Sequence, residues 1–276
     1  MIRFAKAAVL TMALAAIAGC GGGEDKAKKP DPAPAKGGGD KAAAPAPAGG
    51  GGKYDKAKST ASVSGTVKFG GPKPAVPKLE PSSDAYCQSQ WAGKEMLNER
   101  FVVADGGALP NAFVWATKGP HEGMTGFDEP APFTLDQIGC RYVPHVFGVR
   151  ANQTFAVKNS DQTTHNVHVH SQSNGEPNTA QAAGQKNDFV FKQKEKAIQF
   201  QCDVHSWMNA VAFVLDHPFF AVTDANGKFE VKGLPAGTYK FKVWHESFTS
   251  GQKELAGEFD LTVKDGEAAT KDVELK

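Results

Sequence analysis

Cysteine, methionine, tryptophan and tyrosine are all scarce in this chain: four, five, four and four among 276 residues. Four cysteines are too few for a small disulfide-stapled scaffold. There is no basic surplus either, since 31 Lys and Arg face 30 Asp and Glu. A nucleic-acid-binding protein needs a basic patch, so that class is excluded. The one long apolar run, Ala7–Ala18, is too short to span a bilayer as a resident helix. Amphipathic helical periodicity is missing, as are a Ser-His-Asp motif and a phosphate-binding loop.

What is present divides the chain. Residues 1–20 read as a signal peptide, with Arg3 and Lys6 ahead of the apolar stretch. It closes in Ile17-Ala18-Gly19-Cys20, which resembles the bacterial lipobox. That resemblance implies that Cys20 is the lipidated N-terminus of an exported, membrane-anchored protein facing the periplasm or cell exterior. Residues 21–58 are Gly, Ala, Pro and Lys with Tyr54 the only aromatic, a composition expected to stay disordered. Its reach as a flexible chain is roughly 35 Å.

The rest is dominated by alternating apolar and polar positions in short segments punctuated by Gly and Pro. That pattern predicts an all-β fold of sandwich or barrel type. Arg100–Ala104 is among the candidate strands, Asp84–Leu97 reads as an irregular or short helical insertion, and residues 171–188 read as a mobile loop. Asp224-Ala225-Asn226-Gly227 is a hairpin signal, and Leu234-Pro235-Ala236-Gly237 is another turn.

The chemistry concentrates in two segments. FQCDVHSWMNA holds Cys202, His205 and Met208, and NSDQTTHNVHV places His165 37 residues before Cys202. One thiolate, two imidazoles and one thioether form the ligand list of a mononuclear blue-copper centre. An axial Met is a poor zinc partner, and a cysteine nucleophile would need neither Met nor a second His. In HNVHVH, alternation puts His165 with Val167 and Val169, and turns Asn166, His168 and His170 to the other face. His168 and His170 read first as solvent-facing strand residues. Their spacing also suits a weak secondary metal site. His217 reads as a structural histidine that could also flank the site.

Residues Tyr142–Leu215 resemble a cupredoxin: a strand, an NSD loop, His165-Asn166-Val167, then Cys202-x-x-His205-x-x-Met208. The two-residue gap from His205 to Met208 matches the short ligand loop of amicyanin-like members and is shorter than in plastocyanin. The resemblance implies one copper ion held by His165, Cys202, His205 and Met208, and electron transport rather than enzymatic turnover. Asn166 would tie the two ligand loops together, and Trp207 would shield the metal or simply pack. A small c-type cytochrome is the implied kind of redox partner. The same ligands could serve a copper chaperone or buffer, although such proteins favour Met-rich or paired-Cys sites. Phe219–Glu246 resembles a carboxypeptidase-regulatory-like, transthyretin-type sandwich, and Ser64–Pro74 resembles the first strand of either module; if it belongs to the second, the cupredoxin is inserted between that strand and the last hairpins of the second sandwich. The fold expected is therefore a Greek-key cupredoxin β-sandwich combined with a second, smaller transthyretin-like β-sandwich. Residues 59–100 form a leading strand and insertion, 101–216 the copper domain, and 217–276 the second sandwich. A scaffold protein with a minor metal site is the remaining alternative. Of the cysteines, Cys87 and Cys140 are left unassigned, and in an oxidising compartment two spare thiols most often pair. A bond from either to Cys202 is the competing arrangement.

Overall fold

Six consecutive residues, Ala210–Leu215, are buried on a strand spanning Asn209–Leu215. Successive strand residues face opposite ways, so such a strand must lie between two apolar layers. Phe113–Ala116, at the start of the strand Phe113–Lys118, is buried in the same way. These two strands fix the layering in a computed structural model that describes residues 51–81, 84–247 and 254–276.

The structure is all-β, with four main sheets stacked in order. The first pairs Ala61–Phe69 antiparallel with Lys228–Leu234 and parallel with Ala268–Thr270 and Val273–Leu275. The second runs Phe220–Val222, Phe113–Lys118, Gly237–Glu246, Glu254–Val263. Val63, Val114, Phe229 and Phe241 belong to the core between them. The third runs Asn178–Gln181, His165–His170, Glu195–Gln201, Asn209–Leu215, Val146–Arg150, and the fourth Lys186–Val190, Thr154–Asn159, Thr134–Gln137, Tyr142–Val143. Their shared core includes Phe147, Phe155, Val167, Val169, Phe200 and Ala212. A third cluster, with Phe113, Trp115 and Trp244 on one side and Val146, Val211, Phe213 and Leu215 on the other, joins the second sheet to the third. Phe113 and Phe213 stack there with centroids 4.0 Å apart and planes 8° from parallel.

The two sandwiches are therefore interlaced. Ala61–Phe69, which includes the first residues of Ser64–Pro74, pairs with strands of the C-terminal sandwich. Phe113–Lys118, expected within the 101–216 domain, pairs with Phe220–Val222 and Gly237–Glu246 instead. The sandwich that carries His165 and Cys202 draws its strands from Thr134–Leu215 and is inserted into the other. Sequence proximity misplaced Phe113–Lys118 because a strand apolar on both faces carries no mark of which sandwich it serves.

Other expectations are corrected. Arg100–Ala104 forms no strand; Phe101 and Val103 are buried in the first core from an irregular segment. Residues 171–188 contain the strand Asn178–Gln181, paired along His165–His170. The turn at 224–227 forms, with Asp224 accepting from the N–H groups of Asn226 and Lys228 at 2.8 and 2.9 Å. It joins strands of facing sheets, so it is a crossing rather than a hairpin. Gly227 has φ 71°, and a Cβ there would lie 2.6 Å from the Val67 carbonyl oxygen, so only glycine fits without strain. Within 21–58, residues 51–58 are ordered: Tyr54 packs 5.1 Å from Phe127 and donates to the Gly233 carbonyl at 3.0 Å. The leader, Cys20 and residues 21–50 lie outside the described residues.

Substitution Phe213→Ala should test the layering. Removing a fully buried ring that is stacked on Phe113 should cost about 3–5 kcal/mol in denaturant unfolding. A loss below about 1 kcal/mol would mean that the sandwiches do not depend on this contact.

Candidate metal centre

Cys202 directly follows the strand Glu195–Gln201, and Met208 directly precedes Asn209–Leu215. The two strands are antiparallel neighbours, so the intervening loop is short. It is closed by Cys202 N–H to the Met208 carbonyl at 3.1 Å and Met208 N–H to the His205 carbonyl at 2.8 Å. The three-residue spacings thus fold into one tight turn that directs Cys202 and His205 inward. His165 comes from the first position of the neighbouring strand His165–His170.

The structure brings the three strongest donors together. His165, Cys202 and His205 each offer a ligand atom within 4.8 Å of the others. The Nδ1 atoms of His165 and His205 are 2.8 Å apart, and Cys202 Sγ is 3.7 Å from His205 Nδ1. His165 and Cys202 are fully buried, His205 and Met208 nearly so. Met208 shares the core cluster of Cys202, Val167 and Val169. Two imidazole nitrogens facing each other beside a thiolate can share one proton or hold one metal ion. The mixed sulfur and nitrogen donors suit copper.

Outer contacts hold these donors in place. His165 Nε2–H donates to Asp161 Oδ2 at 2.9 Å, which leaves Nδ1 directed at the donor cluster. Asp161 is itself buried and also accepts from the backbone N–H groups of Gly139 and Cys140, both at 2.7 Å. Asn166 bridges the two ligand segments: its Oδ1 accepts from Asp203 N–H at 2.5 Å, while its own backbone N–H points at Cys202 Sγ at 3.4 Å. Trp207 lies half-buried with its ring 5.1 Å from that of His205 and donates to the Cys140 carbonyl at 3.1 Å.

The Asp84–Leu97 insertion is a single helix, Ala85–Trp91, followed by the short strand Met96–Leu97. Asp84 caps the helix by accepting from Cys87 N–H at 2.9 Å, and its other oxygen accepts from the Thr163 hydroxyl at 2.9 Å. A Cys87–Cys140 disulfide staples the helix to the fourth sheet's turn, and Cys202 stays free. Asp84 thereby stands 3.7 Å from the outer nitrogen of His205, too long for a hydrogen bond, and that nitrogen has no hydrogen-bond partner.

Burial works against a charged Cys202, but hydrogen bonds from His165, His205 and the Asn166 backbone outweigh it and bring the thiol down to about 6. Burial likewise opposes a charged His165, yet Asp161 and Cys202 raise it to about 9. Between these values the hydrogen bonds favour a thiolate beside an imidazolium, the charge state of sulfur that a soft cation requires.

The other histidines are dispersed. His168 and His170 lie on the outer face of their strand, ring centroids 4.1 Å apart. His217 does not join them in a cluster; it is buried against His121 with centroids 4.4 Å apart, and its Nδ1 accepts from Phe219 N–H. Burial and the neighbouring His121 lower His217 to about 4, so it is neutral. Sequence reasoning passed over Asp161 and Asp84. The NSD loop, four residues before His165, was the available signal for the first; nothing marked the second.

No family model matches the chain, and no curated protein matches it. Solved structures do. A Cu-containing nitrite reductase from Thermus scotoductus is 20% identical, covering 33% of this chain and 24% of that one, with TM-score 0.30. The chain therefore spans about a quarter of that enzyme's length. A Cu(I) structure of an amicyanin mutant is 19% identical over 30% of this chain and 81% of its own, with TM-score 0.28. A purple cupredoxin from Nitrosopumilus maritimus is 16% identical over 30% and 98%, with TM-score 0.26. The fold assignment rests on the strand pairing above.

Two outcomes follow from this geometry. Asp161→Asn should weaken copper affinity about 10–100-fold in a chelator competition, because it loosens the hold on the His165 ring; an unchanged affinity would deny Asp161 that part. In metal-free protein the ultraviolet absorption of the Cys202 thiolate should be present above about 6 and disappear as pH falls through that value. The sign follows from a depressed thiol: the charged form is the one lost on acidification. A thiol titrating near its ordinary value would contradict the hydrogen-bonding pattern.

Proposed function

We propose that the chain is an exported, lipid-anchored copper protein that carries single electrons. The observation that carries this reading is the buried convergence of His165, Cys202 and His205 on a loop closed by Met208. Copper, when bound, would supply a one-electron change between Cu(I) and Cu(II). His165 and His205 would hold it through Nδ1, Cys202 through its thiolate, and Met208 through its thioether. Asp161 and Asn166 orient the ligands, and the β-scaffold keeps them from rearranging when the charge changes. The ligands are closed off from solvent, which favours a carrier over an enzyme acting on a bulky substrate. Cys20 as the lipid attachment and residues 21–50 as a tether would let the folded part meet a small c-type cytochrome near the membrane.

Copper(II)-loaded protein should show an intense visible absorption band that Cys202→Ser removes. Reduction should be reversible with the metal retained, and Met208→Gln should lower the potential while copper stays bound, since the axial ligand tunes potential more than it holds the ion. A colourless copper(II) complex would sink the reading. Release of copper on reduction would instead favour a chaperone.

A further inference from the structure

Outside the buried centre, two imidazoles share the exposed face of the strand His165–His170. His168 and His170 are two residues apart, so both point away from the core, and their ring centroids lie 4.1 Å from each other. His170 is exposed and His168 partly so. His168 is not a loose side chain. Its Nδ1–H donates to the Asp203 carboxylate, with both oxygens at 3.0 Å. This selects the tautomer with a free lone pair on Nε2. Asp203 is in turn held by Asn178 Nδ2–H at 2.7 Å. A carboxylate fixing the far nitrogen of an imidazole is the arrangement that orients metal-bound histidines.

A third group faces the same way. Gln199 lies directly across from His170 on the adjacent strand, and opposed residues of an antiparallel pair share a face. The Gln199 Oε1 atom is buried and has no hydrogen-bond donor. A buried carbonyl oxygen without a partner is destabilising, and a cation beside it would satisfy it. His170 also borders two cavities of about 880 and 780 Å³, so an ion could arrive from solvent.

We propose that His168 and His170, with Gln199 Oε1 as a third donor, hold a second metal ion on this outer face. Two imidazoles and an amide oxygen, completed by water, suit a divalent cation of borderline softness, and copper(II) binds such donors most strongly. No sulfur takes part, so the site differs in kind from the one at Cys202 and stands independently of the function proposed for it.

Copper(II) itself is the probe. The full chain, with its first equivalent of copper bound, should take up a second equivalent in calorimetry. That ion should add an electron paramagnetic resonance signal of ordinary tetragonal, nitrogen-and-oxygen type and no visible charge-transfer band. His168→Gln/His170→Gln should lose the second equivalent and keep the first. Cys202→Ser, with the histidine pair intact, should still bind the outer ion, so the outer site is counted even if the buried centre proves not to be a copper–thiolate site. The proposal is overturned if the wild-type chain binds no second ion, or if the second ion persists undiminished in the double variant.

Discussion

Burial of Asn209–Leu215 on both faces is the constraint on which the rest depends. One face, with Ala210, Ala212 and Val214, closes the core that holds Cys202 and Met208. The other, with Val211, Phe213 and Leu215, closes the contact to the second sandwich. The strand begins at the residue after Met208, so the ligand loop is anchored at one end in the middle of a four-sheet stack. At the other end Cys202 continues from a strand paired on both sides. A loop so held has little freedom to rearrange, which is what the proposed one-electron role would require of it.

Asp161 extends the same logic from backbone to side chain. A carboxylate buried without partners would be protonated or destabilising. Here it collects donors from His165, Gly139 and Cys140, and burial is outweighed so that it stays ionised. Cys140 is also the anchor of the disulfide to the capping helix. A single buried charge therefore links the orientation of one ligand to the placement of the segment covering the other.

The site was legible in the sequence because its information is local. Cys202, His205 and Met208 fall within one turn, and the period-two rule alone separates inward His165 from outward His168 and His170. Asp161 and Asp84 were not legible, since an aspartate in a loop looks the same whatever it faces. The fold was legible in class and less so in pairing. Arg100–Ala104 looks like a strand because it is a short apolar run whose Phe101 and Val103 are buried, yet an apolar run reports burial and not hydrogen bonding to a neighbour. Asn178–Gln181 hides for the opposite reason: an edge strand of polar residues can pair by backbone alone. The sandwich that Phe113–Lys118 serves could not be assigned, because partner choice depends on contacts more than a hundred residues away.

The capping helix changes what the metal ligands can do. Asp84 and the Ala85–Trp91 segment lie over the His205 side of the site, and the outer nitrogen of His205 is left buried with a carboxylate at 3.7 Å. Under the proposed copper reading, His205 could hand an ion to an acceptor only by leaving this buried position beside Asp84. The Cys87–Cys140 bond resists that displacement, because the helix is covalently joined to the same turn whose N–H groups bind Asp161. Exchange of metal with the surroundings must then involve opening of a cross-linked, apolar core, whereas electron exchange needs no atom to leave. If copper binds there as proposed, the enclosure separates the two uses of one ligand set and favours retention of the ion over its transfer.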